Sequence, residues 1–357
     1  MNTRIVQDFV VKGKEVFVGL EDSKTTWKIA VRCENMLVHQ TAMEAKYPVL
    51  KKFFDHRFPD CKIHVMYEAG FKGFNLFDRL IEDDIDCVVI PPHLVTEPKV
   101  NKVKTDKRDA KRLAYVLEHH DFRDACDVPD RERREDRQVS RTLIGIQKDI
   151  IRTRCRIRML IEFHDIEVPF KKVKWGRKEF MALKELSVSE PLKISLEVLL
   201  TELEQLWSHR KTFVTALLRL CKKERYQKAF KIAKSAPGIG WYTAIRLVLE
   251  LGEDLRRFTS GKKIAGFVGL TPREHSTGET ERKGRITGMG PSFIRATLIE
   301  NSWAAIRKDR VLLAKFHRVW KATGSKKKAI VAVARMLIVR LRACIISDTP
   351  YVTGIAR

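Results

Sequence analysis

Apolar and polar positions follow two rhythms along the first third of the chain. "VFVGL" (16–20) is a short run apolar on both faces, and "TWKIAVRC" (26–33) and "MLVHQTAM" (36–43) continue as strand-like runs joined at Glu34–Asn35. "YPVLKKFFDHRF" (47–58) then shifts to helical spacing, and "KIHVMYEA" (62–69) returns to a strand. "GFNLFDRLIEDD" (73–84) predicts a helix, and "DCVVIPP" (86–92) a strand stopped by two prolines. A further helix is predicted over "KTDKRDAKRLA" (104–114), with Thr105 as its cap.

Three opening strands followed by alternating units predict an α/β domain with a mixed sheet. The order fits a ribonuclease-H-like layout. A dinucleotide-binding layout is excluded, because no G-x-G-x-x-G follows the first strand. Beyond it, Val139, Leu143, Ile146, Ile150, Ile157 and Leu160 recur at helical spacing between 131 and 163, with arginines and lysines in the gaps. A second helical run extends from 192 to about 234, and the link between them (167–191) reads as irregular. The seam from Val139 to Leu160 is expected to pair helices, either in an antiparallel hairpin or between chains. From 235 onward short helices alternate with a loop rich in Gly, Thr and Ser, and the end (303–343) is helical and basic, interrupted at "ATGSKKKA". The expected division is 1–128 for the metal-binding α/β domain, 129–234 for a coiled-coil segment and 235–357 for a mainly helical C-terminal domain.

Charge narrows the function. The 357 residues carry 70 Lys and Arg against 45 Asp and Glu, a formal net charge of +25. Such a surplus calls for a polyanionic partner, and nucleic acid is the leading candidate. The seven cysteines include no Cys-x-x-Cys pair, which argues against a zinc site and a disulfide framework. The opening stretch lacks an apolar signal region, and no apolar run of about 18 residues appears. No membrane association is expected. A cytoplasmic, nucleoid-associated location is.

Against that cationic background, carboxylates at the ends of predicted strands stand out: Glu21 and Asp22 after the first, Glu68 after the fourth, and Asp106 and Asp109 on the following helix. Acidic residues gathered there would repel one another and a nucleic acid, and a divalent cation removes that conflict. The "PGIG" turn (237–240) resembles a turn between helices whose amides grip phosphate, with Gly238 and Gly240 as its contacts. The loop "HSTGETERKGRITGMG" (275–290) places the hydroxyls of Ser276 and Thr277 among Arg273, Arg282, Lys283 and Arg285. That composition suits phosphate binding, or a hydroxyl nucleophile attacking phosphorus. Lys104 and Arg295 complete the expected nucleic-acid contacts.

"VGLEDSK", "VMYEAG", "KTDKRDAKRLA", "APGIG", "FVGLTPREHSTGE" and "GRITGMG…IRATLIENSW", in that order, resemble the DEDD recombinases of Piv-type insertion sequences, the bridge-RNA-guided recombinase family. The resemblance covers nearly the whole chain. It implies a RuvC-like N-terminal domain, a coiled-coil segment, a C-terminal transposase domain, Mg²⁺, a structured guide RNA pairing with donor and target DNA, and a homo-oligomer, dimer or tetramer. The family's acids fall on Glu68, Asp106 and Asp109. Its first aspartate falls on Glu21, which leaves Glu21 and Asp22 both open. Strand alternation favours Glu21, since the family's acid lies two residues after the glycine matched by Gly19. Its nucleophilic serine before glycine falls on Thr277, with Ser276 one residue earlier. Ser276 is the preferred nucleophile, since a threonine hydroxyl is more hindered. Two other readings stay open: a junction endonuclease using metal-activated water, and a catalytically degenerate RNA-binding scaffold.

Overall fold

A computed structural model describes residues 11–91, 106–120, 125–170, 175–277 and 280–354, and the side chains at 106–107 and 274–283 lie outside the description. The chain divides into two compact units, Met1–Pro129 and Asp130–Arg357.

In the first unit the elements run β1 (Glu15–Asp22), β2 (Thr26–Cys33), β3 (Met36–Glu44), α1 (Tyr47–Arg57), β4 (Lys62–Glu68), α2 (Asn75–Glu82), β5 (Asp86–Ile90) and α3 (Asp106–Glu118). They follow the predicted order closely. β1, β2 and β3 form an antiparallel meander, β4 and β5 lie parallel to β1, and the strand order is β3-β2-β1-β4-β5. Glu34 and Asn35 both have positive φ (46° and 66°), the conformation that a two-residue hairpin turn requires. Pleating sorts the side chains onto two faces. Val16, Val18, Leu20, Val65 and Tyr67 pack with Leu50 and Phe54 of α1 and Leu80 of α2. Met66 and Phe17 point the other way, against Leu113 and Leu117 of α3.

The second unit opens with α4 (Arg131–Phe163), then α5 (Arg177–Lys184), α6 (Glu190–Lys222), α7 (Glu224–Ser235), α8 (Trp241–Leu251) and α9 (Gly261–Phe267). The strands β6 (Pro272–Thr277) and β7 (Thr280–Ile286) follow, then α10 (Ser292–Ala305), α11 (Arg310–Thr323) and α12 (Lys326–Ile346). α4 and α6, 33 residues and about 50 Å each, pack along one another within the chain. Ile150 and Ile157 meet Leu196, Leu200 and Leu203 at one end of the pair, while Leu143 and Leu217 join the C-terminal helices at the other. The apolar seam of α4 is therefore intramolecular.

Three expectations need correction. The link 167–191 is not irregular throughout: α5 forms because Phe180 and Leu183, three apart, both bury against the α4–α6 tip. The run 192–234 is two helices, broken at Lys223, whose extended backbone lets buried Tyr226 donate to Asp136 at 2.8 Å. The loop at 275–290 contains an antiparallel hairpin, with His275 paired to Arg282 and Thr277 to Thr280.

Candidate active site

The carboxylates of the first unit are placed by one close approach. A Cβ at Gly19 would fall inside the van der Waals radii of the Ala110 carbonyl and the Ala114 amide. β1 thus touches the α3 backbone at that residue. At the other end of the helix, Glu118 accepts from Arg32 Nε at 2.5 Å, and Arg32 is the cross-strand partner of Phe17. α3 therefore runs antiparallel to β1, and its first turn, which holds Asp106 and Asp109, lies toward the carboxyl ends of β1 and β4.

Strand parity then sorts the acids. Gly19 faces α3, so Glu21, two residues on, shares that face. Met66 faces α3, so Glu68 does too. The parallel register pairs Leu20 with Tyr67, and one further step sets Glu21 beside Glu68, about 5 Å apart at the ordinary strand spacing. Both are half-buried, as is Asp109. Asp22 belongs to the opposite face. There its carboxylate accepts from Trp27 Nε1 at 2.5 Å and pairs with Lys72 Nζ at 2.9 Å. The geometry favours Glu21 over Asp22 beside α3. Asp106 occupies the first position of α3, with its side chain outside the described residues. Lys104 also lies outside them.

Sequence reasoning used Gly19 only as the family glycine two residues before the acid, and did not foresee its close contact with α3. A lone glycine inside the apolar run "VFVGL" was the available signal, since such a glycine marks a close backbone approach.

In the second unit Ser276 and Thr277 occupy the last two positions of β6. Successive strand positions belong to opposite faces, so a one-residue register slip would exchange them and disrupt the pairing with β7. Their side chains, and those of Arg282 and Lys283, lie outside the described residues. Arg273 donates to the Thr287 carbonyl at 3.5 Å, and Arg285 is exposed. Arg295 donates to the Val268 and Met289 carbonyls, each at 3.1 Å, and so ties the end of α9 to the loop before α10. Gly290 (φ 74°) abuts the Phe267 carbonyl, a contact closed to any side chain. In the "PGIG" turn, Gly238 (φ 78°) packs on the α10 backbone at Asn301 and Ala305, and Gly240 is exposed.

Among the described residues no three His, Cys, Asp or Glu side chains are grouped to hold a metal ion. Glu21, Glu68, Asp109 and the position of Asp106 nonetheless offer an all-oxygen donor set, which suits a hard divalent cation such as Mg²⁺ rather than zinc. The residues fit the group.

Comparison with known proteins finds two transposase families along the chain. Residues 18–164 match the DEDD transposases of the IS110 type, and residues 231–318 match the transposase IS116/IS110/IS902 family. The chain carries both domains in order and belongs to the IS110-type DEDD transposases, recombinases that act on DNA. It is 27% identical over 289 residues to the transposase y4qE of Sinorhizobium fredii, covering 78% of this chain and 68% of that one. It is 24% identical over 259 residues to the transposase for insertion sequence element IS1533 of Leptospira borgpetersenii (71% of this chain, 74% of that one). Over 133 residues it is 29% identical to the pilin gene-inverting protein of Moraxella bovis (37% and 41%). Domains of the DEDD class generally use divalent metal ions. No helix among the described residues is long and apolar enough to cross a membrane.

Proposed function

We propose that the chain is an RNA-guided recombinase with a RuvC-like metal-binding domain, which cuts and rejoins donor and target DNA through a hydroxyl of the β6–β7 hairpin. The observation that carries this is the convergence of Glu21 and Glu68 on the face that α3 covers, with Asp106 and Asp109 in the helix turn nearest them. Mg²⁺ bound there supplies charge stabilisation at the scissile phosphate. Glu21, Glu68, Asp106 and Asp109 would hold it. The hydroxyl of Ser276 or Thr277 gives up its proton as its oxygen bonds to phosphorus, and the bond from phosphorus to one sugar oxygen breaks. The departing oxygen takes up a proton. A sugar hydroxyl of the exchanged strand reverses the step, restoring a phosphodiester and freeing the side chain.

The surplus of cations is the support for a guide RNA alongside DNA. The support for a homo-oligomer is an exposed apolar stripe on the outer face of α4, where Ile151, Met159 and Phe163 are 61%, 67% and 84% exposed. Sequencing the RNA that copurifies with the protein tests the first, and light scattering of Met159→Lys with Phe163→Lys tests the second.

The catalytic proposal is tested with donor and target DNA in Mg²⁺. Glu68→Ala and Asp109→Ala should each lower recombination by about a thousandfold while DNA is still bound, the several kcal/mol that a metal contributes at phosphorus. Full recombination by Asp109→Ala would reject the site. On a denaturing gel, a covalent protein–DNA adduct should vanish in Ser276→Ala or in Thr277→Ala. An adduct persisting in the double variant removes the hairpin from the chemistry.

A further inference from the structure

Helices α9, α11 and α12 enclose a half-open pocket of about 740 Å³. Lys262 of α9, Lys315 and Arg318 of α11, and Arg335 of α12 line it, above an apolar floor that includes Met336 and Val339. No carboxylate is among the lining residues.

The sequence builds this concavity locally. Lys315 and Arg318, three apart, share a face of α11. Gly324, left-handed at φ 65°, ends α11 and turns the chain back so that α12 packs along it and brings Arg335 alongside. Gly261 lets α9 close on Val339, whose Cγ1 would stand 2.7 Å from any Cβ there, and that approach sets Lys262 at the rim.

None of the four cations makes an ion pair among the described residues. Burial, and then the charges of Arg318 and Arg335, push the Lys315 ammonium below its ordinary value. Like charges held round one hollow repel, and no acid among the described residues lines the hollow to offset them. An anion would.

We propose that this pocket seats the phosphodiester backbone of a bound nucleic acid, with Lys315 and Arg335 at its centre and Lys262 and Arg318 at its rim. The proposal rests on the reading of the chain as a nucleic-acid recombinase and says where one stretch of backbone is gripped. Guanidinium groups fork onto two phosphate oxygens and ammonium groups act as point charges, so the set suits more than one phosphate. The apolar floor suits the face of a sugar.

The test uses the full chain with a labelled DNA duplex and a labelled RNA hairpin of matched phosphate number. Lys315→Gln with Arg335→Gln should weaken binding of at least one probe and make the slope of log affinity against log salt shallower by about 1 to 2, near 0.9 for each phosphate no longer neutralised. The probe affected identifies the backbone seated. The control is Lys327→Gln with Lys328→Gln, an equal loss of charge at exposed positions outside the pocket. Equal effects of the two pairs, or none from the first, would overturn the pocket and leave the wider function standing. Salt-insensitive binding by the unaltered chain would reject both. Independently of any variant, acetylation of Lys315 followed by mass spectrometry should slow when duplex or hairpin is added. Unchanged labelling, or equal protection by inorganic phosphate at the same phosphate concentration, would overturn the proposal.

Discussion

The first turns of α4 and the pocket between α9, α11 and α12 are both rich in cations, yet their charges are set in opposite ways. On α4, Arg141 donates to both carboxylate oxygens of Glu250 at 2.8 and 3.0 Å, and Arg137 stands 4.0 Å from the same group. Glu250 is only 2% exposed. Nearby, Arg225 bridges Asp130, Glu132 and Glu253. These guanidinium groups hold α4 to the helices behind it. In the pocket, four cations of similar chemistry meet no acid among the described residues. The difference teaches that net charge announces a polyanionic partner without locating it; location follows from which cations the fold leaves unneutralised.

The comparison can be broken most forcefully from the acidic side. Glu250→Ala should destabilise the chain by about 3–5 kcal/mol, because it leaves Arg141 and the mostly buried Arg137 facing each other uncompensated. Denaturant unfolding measures it, and a loss under about 1 kcal/mol would mean that these pairs are ornamental. Binding of the duplex should keep its salt slope in Glu250→Ala under conditions where the variant is folded.

A smaller effect is expected from acid. Burial alone would raise the Asp309 carboxyl, but hydrogen bonds from the Tyr351 hydroxyl and from the amides of Val311 and Gly354, with the charge of Arg340, hold it below its ordinary 3.8. Arg225 holds Asp130 low as well, against the opposing effect of burial. A depressed carboxyl contributes stability that is complete above its unfolded value and lost as pH falls through the folded one. The denaturation midpoint should therefore hold down to about pH 5 and drop steadily below about pH 4. Asp309→Asn should be less stable at neutral pH with a shallower acid limb; an identical limb would assign the acid loss elsewhere.

The smallest effect sharpens the contrast. Lys315→Gln with Arg335→Gln should leave stability within about 1 kcal/mol of the unaltered chain or raise it slightly, since it removes repulsion and no ion pair. A larger loss would make these cations structural, like those of α4.

Much of the first unit was legible because its signals are local. Period-2 runs, two prolines and the Glu34–Asn35 turn each report on a few neighbouring residues, and the elements fall where those signals stand. The pairing of Glu21 with Glu68 was legible too, as acids at strand ends. The preference for Glu21 over Asp22 followed from strand alternation after Gly19, and the structure adds that this face meets α3 while Asp22 engages Trp27 and Lys72 on the other. What failed to show depends on partners distant in sequence. α5 exists because of the α4–α6 tip. The β6–β7 hairpin has the composition of a loop, and its strands persist through pairing with each other. The pocket draws on three helices separated by up to 73 positions (262 to 335), and no spacing rule reaches that far. Arg295 looked like a phosphate ligand by composition, whereas its guanidinium donates to two backbone carbonyls.

Gly19 has a consequence for how this chain can vary under selection. A side chain there would press on the backbone of α3 rather than on another side chain, so no repacking of neighbours can absorb it. Drift at that position meets a wall at its first step. Ala110 and Ala114 cannot relieve it by changing their own side chains, because the atoms pressed are their backbone carbonyl and amide. In a library saturated at residue 19 and selected for recombination, the survivors should narrow to glycine, even though that residue carries no group able to take part in the reaction.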